Sequence, residues 1–221
     1  MMGHPGFADR RHAGRELARA IEILGLKDPI VLALPRGGVP VGFEVAKALS
    51  APLDILMVRK IGAPGHEEYG IGAVVDGAAH QVVIDEALAR MVGASRDYID
   101  LQVSRELREI ERRRAIYRAG DPVAITGRTV IIVDDGIATG GTVRAALQGI
   151  ARAEPAQIVL AVPLAPAEVI SEMEKLCDRV VCLSSPSPFR AVGMHYRDFR
   201  QTEDGEVIRL LAEARSWVRM A

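Results

Sequence analysis

The stretch "VIIVDDGIATGGT" occupies residues 130–142. Val130, Ile131, Ile132 and Val133 form an unbroken apolar run, the pattern of a strand buried on both faces, as in a parallel sheet. Asp134 and Asp135 follow at once, and then a loop of small residues leads toward a helix starting near Thr142. Three glycines, Ala138 and two threonines present amides and hydroxyls at that helix's N-terminus, which suits a phosphate. Two carboxylates repel a phosphate, so they must hold another part of the same ligand. A vicinal diol fits, because each carboxylate accepts hydrogen bonds from hydroxyls, and a magnesium ion can sit nearby. A strand ending in two aspartates also occurs beside P-loops. That architecture needs G-x-x-x-x-G-K-[ST], and the dipeptide Gly-Lys is absent from this chain.

Working outward, apolar strands alternate with amphipathic helices. Helices are expected at 12–24, 39–49, 95–118, 142–152, 166–176 and near 205–218. Strands are expected at 30–34, 53–58, 129–133, 157–163 and 179–183, with a hairpin at 71–75 and 81–84. The alternation predicts an α/β fold with a doubly wound, mainly parallel sheet flanked by helices. Residues 1–221 read as one domain, with 70–118 (hairpin plus long helix) as an insertion and 184–200 as a small hood. Helix 95–118 carries seven arginines (96, 105, 108, 112, 113, 114 and 118) against five acids. That pattern fits a solvated face with ion pairs four residues apart, or a dimer contact, ahead of a nucleic-acid patch.

The whole chain sets bounds. Its 221 residues are 49% hydrophobic and 26% charged, with net charge −1. Such a balance gives no basic field for nucleic acid. No apolar run approaches the roughly 20 residues needed to span a bilayer, and the first residues lack the apolar core of a signal peptide. A cytoplasmic location is the expectation. Cys177 and Cys182 have neither metal-site spacing nor neighbouring ligands, so they read as core residues.

Two further strand ends carry polar chemistry. In "LPRGG" (34–38), Gly37 and Gly38 allow close backbone approach, and Arg36 offers a fork of donors to phosphate oxygens. In "VRKIGAPGHEEYG" (58–70), Arg59 and Lys60 end a strand, and a Gly- and Pro-rich loop follows that looks mobile. His66, Glu67 and Glu68 in that loop are either a solvated face or metal or acid–base groups. Because ligands bind beyond the carboxyl ends of parallel strands, these groups suit one ligand: a phosphate, a ribose and a second anionic group.

This constellation resembles the type I phosphoribosyltransferases. Their signature is an apolar strand, two acidic residues and a short Thr/Gly-rich loop ending in Thr, which "VIIVDDGIATGGT" matches throughout. The resemblance spans roughly residues 10–200 and is closest to a bacterial branch with the pattern "LPRGGVPV … VRKIGAPG … VDDGIATG". It implies a Mg²⁺-dependent enzyme of nucleotide and nucleoside metabolism that transfers the 5-phosphoribosyl group of phosphoribosyl pyrophosphate (PRPP) to a nitrogenous base, releasing pyrophosphate. Asp134 and Asp135 would hold the ribose hydroxyls. Ala138, Thr139, Gly140, Gly141 and Thr142 would wrap the 5′-phosphate. Arg36, Gly37 and Lys60 would hold the pyrophosphate, and a loop at 61–69 would close over it. Asp134, Asp135, Lys60 and Arg36 are thus the catalytic candidates.

Magnesium would be held mainly through PRPP, with Asp134, Asp135 and Asp198 as candidate contacts; Asp198 also reads as a surface loop acid. Phe189 is a candidate for stacking on the base, or a packing residue. The resemblance departs from hypoxanthine–guanine enzymes at Ala138, where those carry an aspartate proposed as general base, and in "CLSSPSPF" (182–189), which lacks their base-reading lysine. The acceptor therefore stays an unidentified nucleobase-like compound. A homodimer is expected, with no membrane partner and no nucleic acid. Two other classes stay open: a PRPP- or nucleotide-sensing regulatory protein on the same fold, and a hydrolase acting on a nucleotide or PRPP.

Overall fold

The computed structural model describes residues 6–77, 80–117 and 122–218. The element order is α1 (Arg10–Glu22), β1 (Pro29–Ala33), α2 (Gly38–Ala48), β2 (Leu53–Ile55), β3 (Val58–Ala63), β4 (His66–Val75), β5 (Gln81–Ile84), α3 (Glu86–Met91), α4 (Arg96–Tyr117), β6 (Thr129–Val133), α5 (Gly141–Ala151), β7 (Gln157–Leu164), α6 (Ala167–Met173), β8 (Arg179–Ser184), a 3₁₀ turn (Val192–His195) and α7 (Asp204–Val218). Five strands form a parallel sheet in the order β2-β1-β6-β7-β8.

The continuous apolar runs are explained by burial on both faces. Val31, Ala33, Ile131, Val133 and Val159 point to one side, against Leu17 and Ile21 of α1, Phe43 and Val45 of α2, and Leu210 and Leu211 of α7. Ile30, Leu32, Val130, Ile132 and Leu160 point to the other, against Val143, Leu147 and Ile150 of α5 and Met173 of α6. Each such buried Leu, Ile or Val contributes about 1.5–3 kcal/mol by leaving water. Asp9 caps α1, its carboxylate accepting from the His12 amide at 2.7 Å, which satisfies one of the unpaired first-turn donors.

The expected strand 53–58 is corrected. β2 stops at Ile55, and Val58 begins a second, antiparallel sheet, β3-β4-β5. Leu53, Ile55 and Met57 join one core and Leu56 the other, so hydropathy alone sees one uninterrupted run. The expected loop at 61–69 is corrected too. Most of it is β3 and β4, paired from Val58↔Val75 to Ala63↔His66, with register shifts beside Gly62. The turn is Pro64–Gly65, and Gly65 has φ 73°, a conformation glycine adopts at no steric cost. The antiparallel sheet thus begins at Val58, ahead of residue 70.

Along α4, Ile99, Ile110 and Tyr117 are buried, and the outer face carries the expected ion pairs. Arg113 and Arg112 both donate to Glu109, at 2.7 and 2.8 Å. These bonds hold the Glu109 carboxyl down at about 2. Arg118 lies outside the described residues, as does the side chain of Glu68. Among the described residues no helix is long and apolar enough to cross a membrane. Cys177 and Cys182 are half-buried and pack against the α5-side core.

Candidate functional site

β1 and β6 are direct neighbours, with Ala33 opposite Val133. The loops leaving them, "LPRGG" and "DDGIATGG", therefore lie side by side at the carboxyl edge of the sheet. The contact is close. A Cβ on Gly37 would sit 2.1 Å from Asp135 Oδ2, and one on Gly38 would sit 2.7 Å from the Val133 carbonyl oxygen and 3.0 Å from Asp134 Cα. Two glycines are needed here because any side chain would collide with the aspartate strand. The Pro35–Arg36 peptide is cis.

The two carboxylates occupy a half-buried setting. Asp134 Oδ1 accepts from the Asp135 amide at 2.8 Å. Burial, then the neighbouring Asp135 charge, pushes the Asp134 carboxyl well above the ordinary carboxylate range. Burial also raises Asp135, opposed by the Arg10 guanidinium, whose Nε donates to Asp135 Oδ2 at 2.7 Å. A half-buried pair of like charges is a costly arrangement that the fold tolerates through these bonds.

Beyond the aspartates the loop opens to solvent. Ala138, Thr139, Gly141 and Thr142 are exposed, while Gly140 is buried against Val169 and Met173. Gly140 has φ 78° and stands at the N-cap of α5, which has no acidic residue in its first turn. The first amides of this helix are free of intrahelical acceptors. With the helix dipole behind them, they carry a partial positive charge.

The predicted cations are only partly brought together. Arg36 leaves β1 beside the aspartates, but its Nη1 lies 3.5 Å from Asp204 Oδ1 at the start of α7. The Tyr117 hydroxyl, at the end of α4, donates to the same oxygen. Lys60 does not stand at the end of a parallel strand; it is inside β3 and exposed. Its neighbour Arg59 is bonded to Glu106 of α4 at 2.7 Å. Alternation along β3 puts Lys60 on the opposite face, shared with Val58 and Val75, which pack in the same core as α5. His66 and Glu67 are exposed on β4, near an open cleft at the hairpin tip rather than beside the aspartates.

The segment expected to be a hood packs against a stretch that sequence reasoning missed. Residues 6–9 run alongside 195–198: the Phe7 amide donates to the His195 carbonyl at 3.0 Å, and the Arg197 amide to the Phe7 carbonyl at 2.9 Å. Phe7 and Tyr196 form its buried centre, with Phe189, Val192 and Phe199 packed against it. Val192 crowds Gly136, where a Cβ would come within 2.7 Å, so the hood sits directly over the loop after Asp135. The Phe189 ring stacks on His195 at 5.6 Å between centres. Asp198 is occupied by the Arg200 guanidinium and amide. Arg10, Tyr196 and Asp204 were also missed. Arg10 lies 125 residues from Asp135 in sequence, and no local pattern marks a pairing of that span.

The donor set can be tested for magnesium. Among the described residues no group of three or more His, Cys, Asp or Glu is placed to hold a metal ion. Asp134 and Asp135 offer hard oxygen ligands, whereas Asp198 is committed to Arg200. The residues fit an ion that a phosphorylated ligand supplies with most of its ligands.

Comparison with known proteins agrees with this geometry. Residues 8–198 match the model of the phosphoribosyl transferase domain family. Two Mycobacterium tuberculosis proteins, from strains CDC 1551 and H37Rv and provisionally named phosphoribosyl transferases, are each 45% identical over 210 residues, covering 94% of this chain. The chain spans about half the length, 47%, of these curated relatives. The crystal structure of TT1426 from Thermus thermophilus superposes with a TM-score of 0.82 at 42% identity, covering 94% of this chain and 98% of that one. A parallel sheet carrying two aspartates and a glycine loop at adjacent strand ends, with a family match across most of its length, places this chain in the phosphoribosyl transferase domain family.

Proposed function

We propose that the protein transfers the 5-phosphoribosyl group from PRPP to a nitrogenous base, with release of pyrophosphate. The observation that carries this reading is the juxtaposition of three features at the ends of β1 and β6: a carboxylate pair, a helix N-terminus with no acidic residue in its first turn and a glycine loop with Arg36. Asp134 and Asp135 hold the ribose hydroxyls. The amides and hydroxyls of Ala138, Thr139, Gly140, Gly141 and Thr142 hold the 5′-phosphate. Arg36, released from Asp204, and the backbone at Gly37 hold the pyrophosphate, with Lys60 approaching from β3.

Positive charge develops on the ribose ring as the C1–O bond to pyrophosphate breaks, and a nitrogen enters on the opposite face. The aspartates stabilise that ring charge, and the cations stabilise the departing pyrophosphate. Asp134 and Asp135 would hold magnesium together with PRPP, and the ion would neutralise charge on the leaving group. The hood and the β3–β4 hairpin exclude water that would otherwise hydrolyse the donor. A cytoplasmic homodimer belongs to the same proposal; exposed Leu101 and Ile116 on α4 support the self-association.

The test is incubation of pure protein with PRPP, Mg²⁺ and a panel of nucleobases, reading pyrophosphate release. Turnover with one base supports transfer. Tight PRPP binding without turnover on any base overturns it and favours a second reading, a PRPP-sensing regulatory protein. That reading is motivated by Ala138, which cannot act as a base, at a position facing solvent.

A further inference from the structure

Asp135 is gripped from outside its own loop. Arg10, at the start of α1, donates through Nε to Asp135 Oδ2 at 2.7 Å and through Nη1 to the Arg200 carbonyl at 2.6 Å. Its guanidinium carbon lies 3.9 Å from the centre of the Phe199 ring. A Cβ on Gly37 would be 3.2 Å from the same Nε, so this guanidinium also borders the glycine loop. The Arg10 side chain is 11% exposed, unlike the loose surface pairs that contribute little. The Tyr196 hydroxyl donates to the backbone carbonyl of Asp135 at 2.6 Å. Backbone and carboxylate of one residue are thus both tied to the hood.

We infer that Arg10 is a positioning residue that orients the Asp135 carboxylate toward a sugar hydroxyl and couples the hood to occupancy of that site. The inference rests on the PRPP reading above. Arg10 engages Oδ2, which leaves Oδ1 outside the ion pair and directed by it. One planar guanidinium reaches the carboxylate and the Arg200 carbonyl while stacking on Phe199. A lysine keeps the charge but has no planar fork, so it cannot satisfy the three partners together. A hydroxyl that locks the Asp135 carboxylate therefore also stiffens residues 195–203 through Arg10.

The experiment uses the full chain as wild type and as Arg10→Lys, with Mg²⁺ present. PRPP and inorganic pyrophosphate affinities are measured by calorimetry, and hydrogen exchange is followed at 138–142 and 195–203. In wild type, PRPP slows exchange in both segments. Arg10→Lys weakens PRPP by roughly tenfold, because a charged hydrogen-bond pair is lost. It keeps pyrophosphate affinity within about twofold, because the charge remains. PRPP then still protects 138–142 but no longer 195–203. Wild-type PRPP affinity with intact protection of 195–203 overturns the inference, as does an equal loss of PRPP and pyrophosphate, which makes Arg10 a general anion binder. If Arg10→Lys does not fold, Phe199→Leu serves instead; full protection of 195–203 in that variant overturns the coupling. Failure of wild type to bind PRPP overturns the donor reading itself and is seen before any substitution.

Discussion

At the scale of single residues, the site is a set of local costs. Asp134 is the clearest. Its carboxylate sits beside another in a setting that penalises charge, and an uncharged group of the same shape would be easier to bury. Asp134→Asn keeps an oxygen to accept from the Asp135 amide and removes the like-charge repulsion. We expect thermal unfolding at neutral pH to move up by roughly 2–4 °C, equivalent to about 1 kcal/mol for a chain of this size. PRPP affinity in the same variant should fall by about tenfold or more, as a charge-assisted bond to a ribose hydroxyl is lost. A variant that loses stability would show that the pair is not a burden on the fold.

At the scale of elements, the hairpin β3–β4 is held where it can meet the phosphate helix. Gly149 on α5 is the contact point: a Cβ there would lie 2.7 Å from Val75 Cβ and Cγ2. Val75 is β-branched and fully buried, so it has little room to turn. Gly149→Ala gains about 0.5–1 kcal/mol of helix propensity but overpacks the interface by about 1–3 kcal/mol. The net expectation is a lower urea midpoint with an unchanged slope. An unchanged or higher midpoint would mean that α5 and β4 can separate without cost. The same packing keeps Lys60 on the α5 side of the sheet and Arg59 on the α4 side, bonded to Glu106.

At the scale of the whole molecule, distant segments are joined by buried phenols. Tyr117 at the end of α4 meets Asp204 at the start of α7. Burial, helped by that carboxylate, pushes its phenol up to about 12. Tyr196 is raised as well, chiefly by burial. An ordinary tyrosine titrates near 10. The unfolded chain therefore ionises first as pH rises, so the stabilisation is complete below about pH 10 and is lost as pH climbs toward 12. Melting temperature should begin to decline above about pH 8.5, where the half-buried Cys177 and Cys182 thiols, also raised by burial, start to favour the unfolded chain, and should fall more steeply beyond about pH 10. Tyr117→Phe should lower the plateau and make the alkaline fall shallower; an equally steep fall would place its origin elsewhere.

The sequence by itself determined the central sheet and the residues from which the candidate site is proposed. Runs such as "VIIV" are apolar at every position because both faces are buried, and β6 ends where that pattern does, starting one residue earlier at Thr129. Asp134, Asp135 and the glycine- and threonine-rich loop after them were legible because one local chain segment builds them whole. What only the tertiary structure decided is what crosses long sequence distances. Hydropathy could not tell that residues 53–63 divide between two sheets, since both partners are apolar. Nor could it show that residues 6–9 complete the hood, or that Arg10 reaches Asp135 and Asp204 reaches Arg36. Those pairings depend on strand order and helix docking, which bring together groups that no periodicity links.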